Sequence, residues 1–397
     1  MRFPRLRSPT GITNKATNVE NREIWIVQRR LAHYRLPVFD RLAERLRELG
    51  FSLKIIFDPE QSEGPDDLTR PYSEPIIRIR EYRHAGATFW RASALVDELR
   101  SRRPSAVIVE GTPRILTNFR VPHVMRALGG VALFWAKGHT EEGTPGGYLS
   151  DKLRFWFASL FDGAIVYGHA GKLELERIGI TSSRVTVARN TIDTSRIFAE
   201  LHERAARAAE TKRTYGIEGR RVVLICGTMY PKKRHLDLVE AWPAIHAANP
   251  DAVLVMVGGG EMLEVVRRRV VEIGCQDVHV LGRVPEGEDY RWIGACDVSV
   301  LCGGLGLAIQ QTLAFGRPMI VADEPGVDGE IVQHGTTGWR YPKGDVGALA
   351  ATVNAVLADP EGSARIAGRG QDLIRNEVNI EGMVSSFLVA LQKAGVL

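Results

Sequence analysis

From residue 23 onward, short apolar runs alternate with amphipathic stretches, and this rhythm narrows the fold more than any other feature. Residues 23–28 (EIWIVQ), 52–57 (SLKIIF), 106–110 (AVIVE), 131–135 (VALFW), 164–167 (AIVY) and 185–188 (VTVA) read as strands. Helical stretches fall between them, such as 36–50, which ends in a glycine stop, and 149–161. Apolar strands separated by helices imply a parallel sheet covered on both faces. The rhythm breaks after Asn190, where 196–220 is rich in Ala, Arg and Glu. It resumes at 221–226 (RVVLIC) and continues through 252–257, 278–281, 298–301 and 318–322. The expectation is an α/β chain of two doubly wound, Rossmann-like domains facing each other across a cleft, with ligands at the C-terminal edges of the strands.

This divides the chain into a basic, flexible tail (1–22), an N-terminal domain (23–195), a linker (196–220) and a C-terminal domain (221–378). A last helix (379–397) is expected to pack back toward the first domain. Its segment 380–397 is amphipathic. At 397 residues, each half is long enough to bury its own core. A net charge of +5 is mild, and the basic residues are spread rather than banked, so no nucleic-acid partner is expected. No apolar run reaches the length of a membrane span, and no apolar h-region follows Arg2, Arg5 and Arg7. A cytoplasmic location is expected. The basic start, including Lys15, offers peripheral contact with anionic lipid at the inner membrane face. Cys226, Cys275, Cys296 and Cys302 form no C-x-x-C pair and read as buried, reduced thiols.

Three loops of the second half follow strands and precede helices. Residues 227–235 (GTMYPKKRH) set Lys232, Lys233 and Arg234 just before a helix, where free N–H groups already attract anions. Residues 258–261 (GGGE) form a glycine-rich turn that reads equally as a phosphate cradle or as a plain tight turn. Residues 302–307 (CGGLGL) open the backbone of Gly303, Gly304, Leu305, Gly306 and Leu307 onto the helix 308–315 and suit a pyrophosphate. No D-x-D occurs, so a metal-bridged diphosphate has no evident ligands. Basic side chains and backbone N–H groups would neutralise the phosphates instead, and no cofactor or metal is expected.

In this order, the loops resemble the GT-B glycosyltransferases of family GT4. The similar segments are 227–242 (GTMYPKKRHLDLVEAW), 255–260 (VMVGGG), 280–284 (VLGRV), 313–320 (LAFGRPMI) and 330–338 (EIVQHGTTG), with 187–193 (VARNTID) in the first half. The resemblance implies a retaining, metal-independent transfer from a nucleotide-diphosphate sugar, UDP slightly favoured over GDP, to a saccharide or lipid-linked acceptor in envelope polysaccharide or glycolipid synthesis. It implies Gly227, Thr228, Lys233, Arg283, Val284, Gly303–Leu307, Gln311 and Glu330 around the donor, with Lys233 meeting the diphosphate. Two departures stand out. Thr228 replaces the family's diphosphate-facing arginine, and Gly303 and Gln311 replace its paired glutamates. Gln311 can still hydrogen-bond ribose hydroxyls, whereas Gly303 has no group to offer the sugar. On the acceptor side, Arg29, Arg30 and His33 follow the first strand, and Lys137 and His139 follow the strand 131–135. His139 and Lys233 are the catalytic candidates. A degenerate, non-catalytic GT-B protein that binds a nucleotide or partner remains a second reading, and a GT-B sugar-nucleotide epimerase a third.

Overall fold

The structure is a computed structural model that describes residues 22–62, 69–84, 86–138, 148–285, 287–304, 306–324 and 330–397. The expected tail, with Arg2, Arg5, Arg7 and Lys15, lies outside the described residues. Among the described residues the first half contributes β1 (Glu23–Val27), β2 (Ser52–Ile56), β3 (Ser73–Glu74), β4 (Arg78–His84), β5 (Ala87–Ser93), β6 (Ala106–Glu110), β7 (Val131–Ala136), β8 (Gly163–Val166) and β9 (Val185–Val187). The second contributes β10 (Arg221–Cys226), β11 (Ala252–Val257), β12 (Val278–Gly282), β13 (Val298–Leu301), β14 (Met319–Ala322) and β15 (Trp339–Tyr341).

Two parallel sheets result. Strand order is β3-β2-β1-β6-β7-β8-β9 in the first and β12-β11-β10-β13-β14-β15 in the second. The central strands are buried on both faces, as in β10 and β11, because helices cover each side. β4 and β5 stand apart as an antiparallel hairpin that the sequence rhythm did not suggest. Its alternation is carried by arginines and aromatics, and every residue of β4 is exposed or half-buried.

Each sheet has one point where the strand order reverses. In the first it lies between β1 and β6, and in the second between β10 and β13. In sheets of this kind, ligand crevices form at such reversals. The loops 227–235 and 302–307 therefore flank the crevice of the second sheet.

The segment 196–220, read as linker and flanking helix, is helical over much of its length. Its helix Arg204–Thr214 packs on the helix Glu288–Ala295 and so belongs to the second domain. The chain passes between domains at 190–195 and again near 378. Thr191 ties the two passages, its one hydroxyl hydrogen shared between Gln310 Oε1 at 2.9 Å and the Val378 carbonyl at 3.1 Å. The last helix, Ile380–Lys393, starts on Asn379, whose side chain accepts from Gly382 N at 2.8 Å. It then joins the core of the first domain through Met383, Val384, Phe387, Ala390 and Leu391, packed with Ile24, Phe39 and Trp135. Phe387 meets Trp135 edge to face, with centroids 5.0 Å apart.

Phe387 is fully buried. Phe387→Ala is expected to cost about 3–5 kcal/mol, the usual loss for a buried phenylalanine. Denaturant unfolding should show this loss. A change below about 1 kcal/mol would mean that the helix is not part of the first domain's core.

Candidate functional site

The second-domain crevice is built by close backbone contact between loops. Gly227 and Gly258 both have positive φ (145° and 139°), and a Cβ on Gly258 would lie 2.0 Å from the Gly227 carbonyl oxygen. Met229 N donates to Gly259 O at 2.8 Å, and Gly258 N to Gly282 O at 2.7 Å. The three glycines of 258–260 thus let the loops after β10, β11 and β12 touch. Arg283 is exposed at the end of β12, its Cβ 3.4 Å from the place a Gly259 Cβ would take, and Val284 follows it half-buried.

Across the crevice, Lys232 and Lys233 press against the glycines after β13. A Cβ on Gly303 would stand 2.7 Å from Lys232 O and 3.2 Å from Arg234 Cδ. One on Gly304 would meet Lys232 Cγ at 3.2 Å, and one on Gly306 would meet Lys233 Nζ at 3.5 Å. The ammonium of Lys233 therefore hangs over the glycine loop. Arg234, the neighbouring cation, lays its Cγ and Cδ against Gly303 but directs its guanidinium to Asp237. It adopts φ 53° and pairs with Asp237 at 2.7 Å. Thr228 lies exposed at the crevice mouth.

His235 opens the helix His235–Ala248 and is buried. Its pKa is pushed down to about 4, first by burial and then by the Lys233 charge, against a hydrogen bond to the Gly227 backbone. Burial raises the thiols of Cys226, Cys296 and Cys302 to about 12, so these cysteines stay neutral. All four cysteines are free, and Cys275 is half-buried rather than buried.

Gln311 lies on the short helix Ala308–Ala314, and its amide donates to Tyr290 OH at 3.2 Å. That bond leaves the Gln311 carbonyl oxygen free to accept from a hydroxyl. Its neighbour Gln310 has a role that sequence reasoning missed. Buried to 2%, it accepts from Thr191 Oγ1 (2.9 Å) and Ile192 N (3.2 Å) and donates to Asn190 O (2.7 Å). It thereby fastens the interdomain passage directly behind the glycine loop. The glutamine carries no local sequence signal for this; only the fold brings 190 and 310 together. Glu330 crosses to the first domain. It accepts from Ala170 N at 2.7 Å and lies 3.2 Å from His169 Nδ1, at the start of the helix His169–Arg177. In this arrangement its carboxylate is engaged across the cleft rather than turned to the crevice between β10 and β13.

In the first domain, Arg29 sits at the β1/β6 reversal. Its Nε donates to Glu110 at 2.7 Å, and its guanidinium stacks on Trp90 at 4.3 Å. Arg30, His33 and Lys137 are exposed nearby along the strand ends. Gly138 packs on Gly171, a Cβ at 138 coming within 2.7 Å of Gly171 Cα. His139 and Leu305 lie outside the described residues. Among the described residues, no cluster of three or more His, Cys, Asp or Glu is placed to hold a metal.

Two family models match the chain, and together they span most of it. Glycosyltransferase Family 4 matches residues 38–196, and Glycosyl transferases group 1 matches 220–359. The GDP-mannose-dependent alpha-(1-6)-phosphatidylinositol monomannoside mannosyltransferase of Mycolicibacterium smegmatis is 32% identical over 191 residues, covering 45% of this chain and 49% of that protein. N-acetyl-alpha-D-glucosaminyl L-malate synthase of Bacillus anthracis is 27% identical over 183 residues, covering 45% and 47%. The chain thus matches about half the length of these relatives. Among solved structures, the HepE protein of Anabaena with UDP and glucose superimposes with a TM-score of 0.65 at 14% identity, covering 94% of this chain and all of that one. A glycosyltransferase of Rickettsia africae reaches 0.69 at 13% identity, covering 94% and 99%.

The unfolded chain protonates His235 near pH 6.5, while the folded chain keeps it neutral down to about 4. The stability carried by the neutral histidine is present above pH 6.5 and is lost as pH falls toward 4. His235→Gln should flatten that part of the stability–pH curve, measured by denaturant midpoints. Lys233→Ala should raise the His235 pKa in an NMR titration, and an unchanged value would place the ammonium elsewhere.

Proposed function

The chain belongs to glycosyltransferase family 4 and has the GT-B fold, and from that premise we propose that it transfers a sugar from a nucleotide-diphosphate donor to a saccharide or lipid-linked acceptor. The observation that carries this reading is the position of Lys233 Nζ over Gly306, where the loops after β10 and β13 meet at the reversal of the second sheet. A diphosphate there has an ammonium on one side and glycine backbone on the other. As the sugar–oxygen bond breaks, negative charge grows on the departing phosphate, and Lys233 stabilises it where it develops. Gln311, oriented by Tyr290, faces the ribose, and the backbone at Arg283 and Val284 faces the base. Thr228 at the mouth, Gly227 beneath it and the stretch Gly303, Gly304, Leu305, Gly306, Leu307 complete the donor contacts. Arg29, Arg30, His33 and Lys137 would meet the acceptor, with His139 at the reacting end.

Retention of configuration rests on the family resemblance. Independence from metal rests on the absence of D-x-D and on the cations already at the diphosphate. The relatives named as GDP-mannose-dependent put GDP-mannose at the head of a donor panel, ahead of the UDP-sugars that the sequence reading slightly favours. Glycolipid or envelope polysaccharide synthesis at the inner membrane face is the setting proposed. One observation favours the non-catalytic reading: the space of the family's sugar-facing carboxylate is filled by Lys232 and Arg234. Acceptor-free hydrolysis of a sugar nucleotide would count against that reading.

Lys233→Ala is expected to lower kcat/KM by roughly ten- to a hundredfold, the weight of one charge-assisted contact. Lys232→Ala should do less, since the ammonium placed at Gly306 is that of Lys233 and Lys232 meets the loop through its carbonyl and Cγ. Gln311→Glu should be tolerated, because Tyr290 OH can donate to the carboxylate. Equal activity of Lys233→Ala and wild type would move the donor site elsewhere. Turnover in excess EDTA should keep its rate, and a loss restored by manganese or magnesium would overturn the metal-independent reading.

A further inference from the structure

We infer that the hairpin face bearing Arg80 and Arg91, together with Arg120, binds the phosphate group of an anionic lipid. In the β4–β5 register, Arg80 stands directly opposite Arg91. Like charges in such a pair destabilise a hairpin. Other hairpin arginines are neutralised: Arg78 meets Glu60 at 3.3 Å, and Arg83 meets Glu81 at 3.1 Å. Among the described residues, Arg80, Arg91 and Arg120 have no such partner. The three line a cavity of about 530 Å³, shared with Tyr82, Leu116 and Thr117. Asp97 on its rim is the acid of that lining, and it contacts Arg100 at 3.5 Å. A phosphate would bridge the opposed guanidiniums, whose planar forks match its oxygens.

The surroundings select a lipid phosphate over a soluble one. Leu116, in the cavity wall, is 45% exposed. Phe119, beside Arg120, stacks on Trp156 at 4.9 Å, and Trp156 is 53% exposed. Leu153, one helical turn from Trp156, is 46% exposed. An apolar and aromatic row beside unpaired arginines fits an interface where headgroup and acyl chain meet. Among the described residues no helix is long and apolar enough to cross a membrane. The hairpin also touches the first sheet's crevice, since Trp90 on β5 lies under Arg29. A headgroup held here lies beside the proposed acceptor side. This site does not depend on the donor reading, because its test requires no turnover.

The test is co-sedimentation of the full chain with phosphatidylcholine vesicles, with and without phosphatidylglycerol. Wild type is expected to bind only the anionic vesicles. Arg80→Gln and Arg91→Gln should each weaken binding roughly fivefold, the usual weight of one basic residue near an anionic surface. Their Tm should stay level or rise, because the opposed charges are relieved. Arg120→Gln, which lies outside the hairpin, should weaken binding equally and guards against a hairpin fault. Trp156→Ala should weaken binding with the charge unchanged. Variants that sediment like wild type would overturn the proposal. So would a wild type that ignores vesicles while inorganic phosphate raises its Tm through Arg80 and Arg91, since the ligand would then be a soluble phosphate.

Discussion

The main chain of Lys232 lies so close to residue 303 that a side chain there has no room. Much of the second-domain crevice follows from that contact. It brings the loop after β10 down onto the loop after β13 and carries the Lys233 ammonium over Gly306. It also accounts for the arginine that does not join in. Arg234 takes a left-handed backbone conformation, and its guanidinium is spent on Asp237. The Lys233 ammonium lies 3.5 Å from the place a Gly306 Cβ would take, with the buried His235 next in the chain. The missing family glutamate at 303 is accordingly part of the packing rather than an isolated loss.

The same crevice is anchored to the hinge between domains. Gln310, buried just behind the glycine loop, holds Asn190 and Ile192, while Thr191 reaches both Gln310 and Val378. A buried amide with its donor and acceptor both used is costly to disrupt. The helix Ala308–Ala314 and the interdomain passage at 190–192 therefore share one hydrogen-bond network. On the far side of the cleft, Glu330 caps the helix His169–Arg177 of the opposite domain. The last helix makes the linkage firmer, since it begins at the second domain and ends inside the first domain's core.

The layered α/β plan was legible because it depends on periodicity. Strands β6, β10, β11 and β13 match their apolar runs residue for residue, since a strand buried on both faces leaves an uninterrupted signature. The hairpin was not legible, because RIREYRH and ATFWRAS bury little and their alternation is hidden by arginines. β3 and β15 are short edge strands whose pairing only the neighbouring strand defines. At the site, the glycine loops and Lys233 could be read from local chemistry. Gln310, Tyr290 and the cross-cleft use of Glu330 could not, because each gains its role from a residue on a distant element. Cys275 shows the same limit in miniature, being half-buried by tertiary packing that composition cannot give.

The central claim is that a donor diphosphate lies between Lys233 and the 303–307 backbone. A crystal structure of the chain with a nucleoside diphosphate tests it most directly. The account expects a phosphate oxygen within about 3 Å of Lys233 Nζ, the second phosphate against the glycine backbone, and the ribose beside Gln311. A diphosphate bound away from both loops, with the Lys233 ammonium turned to solvent, would contradict it.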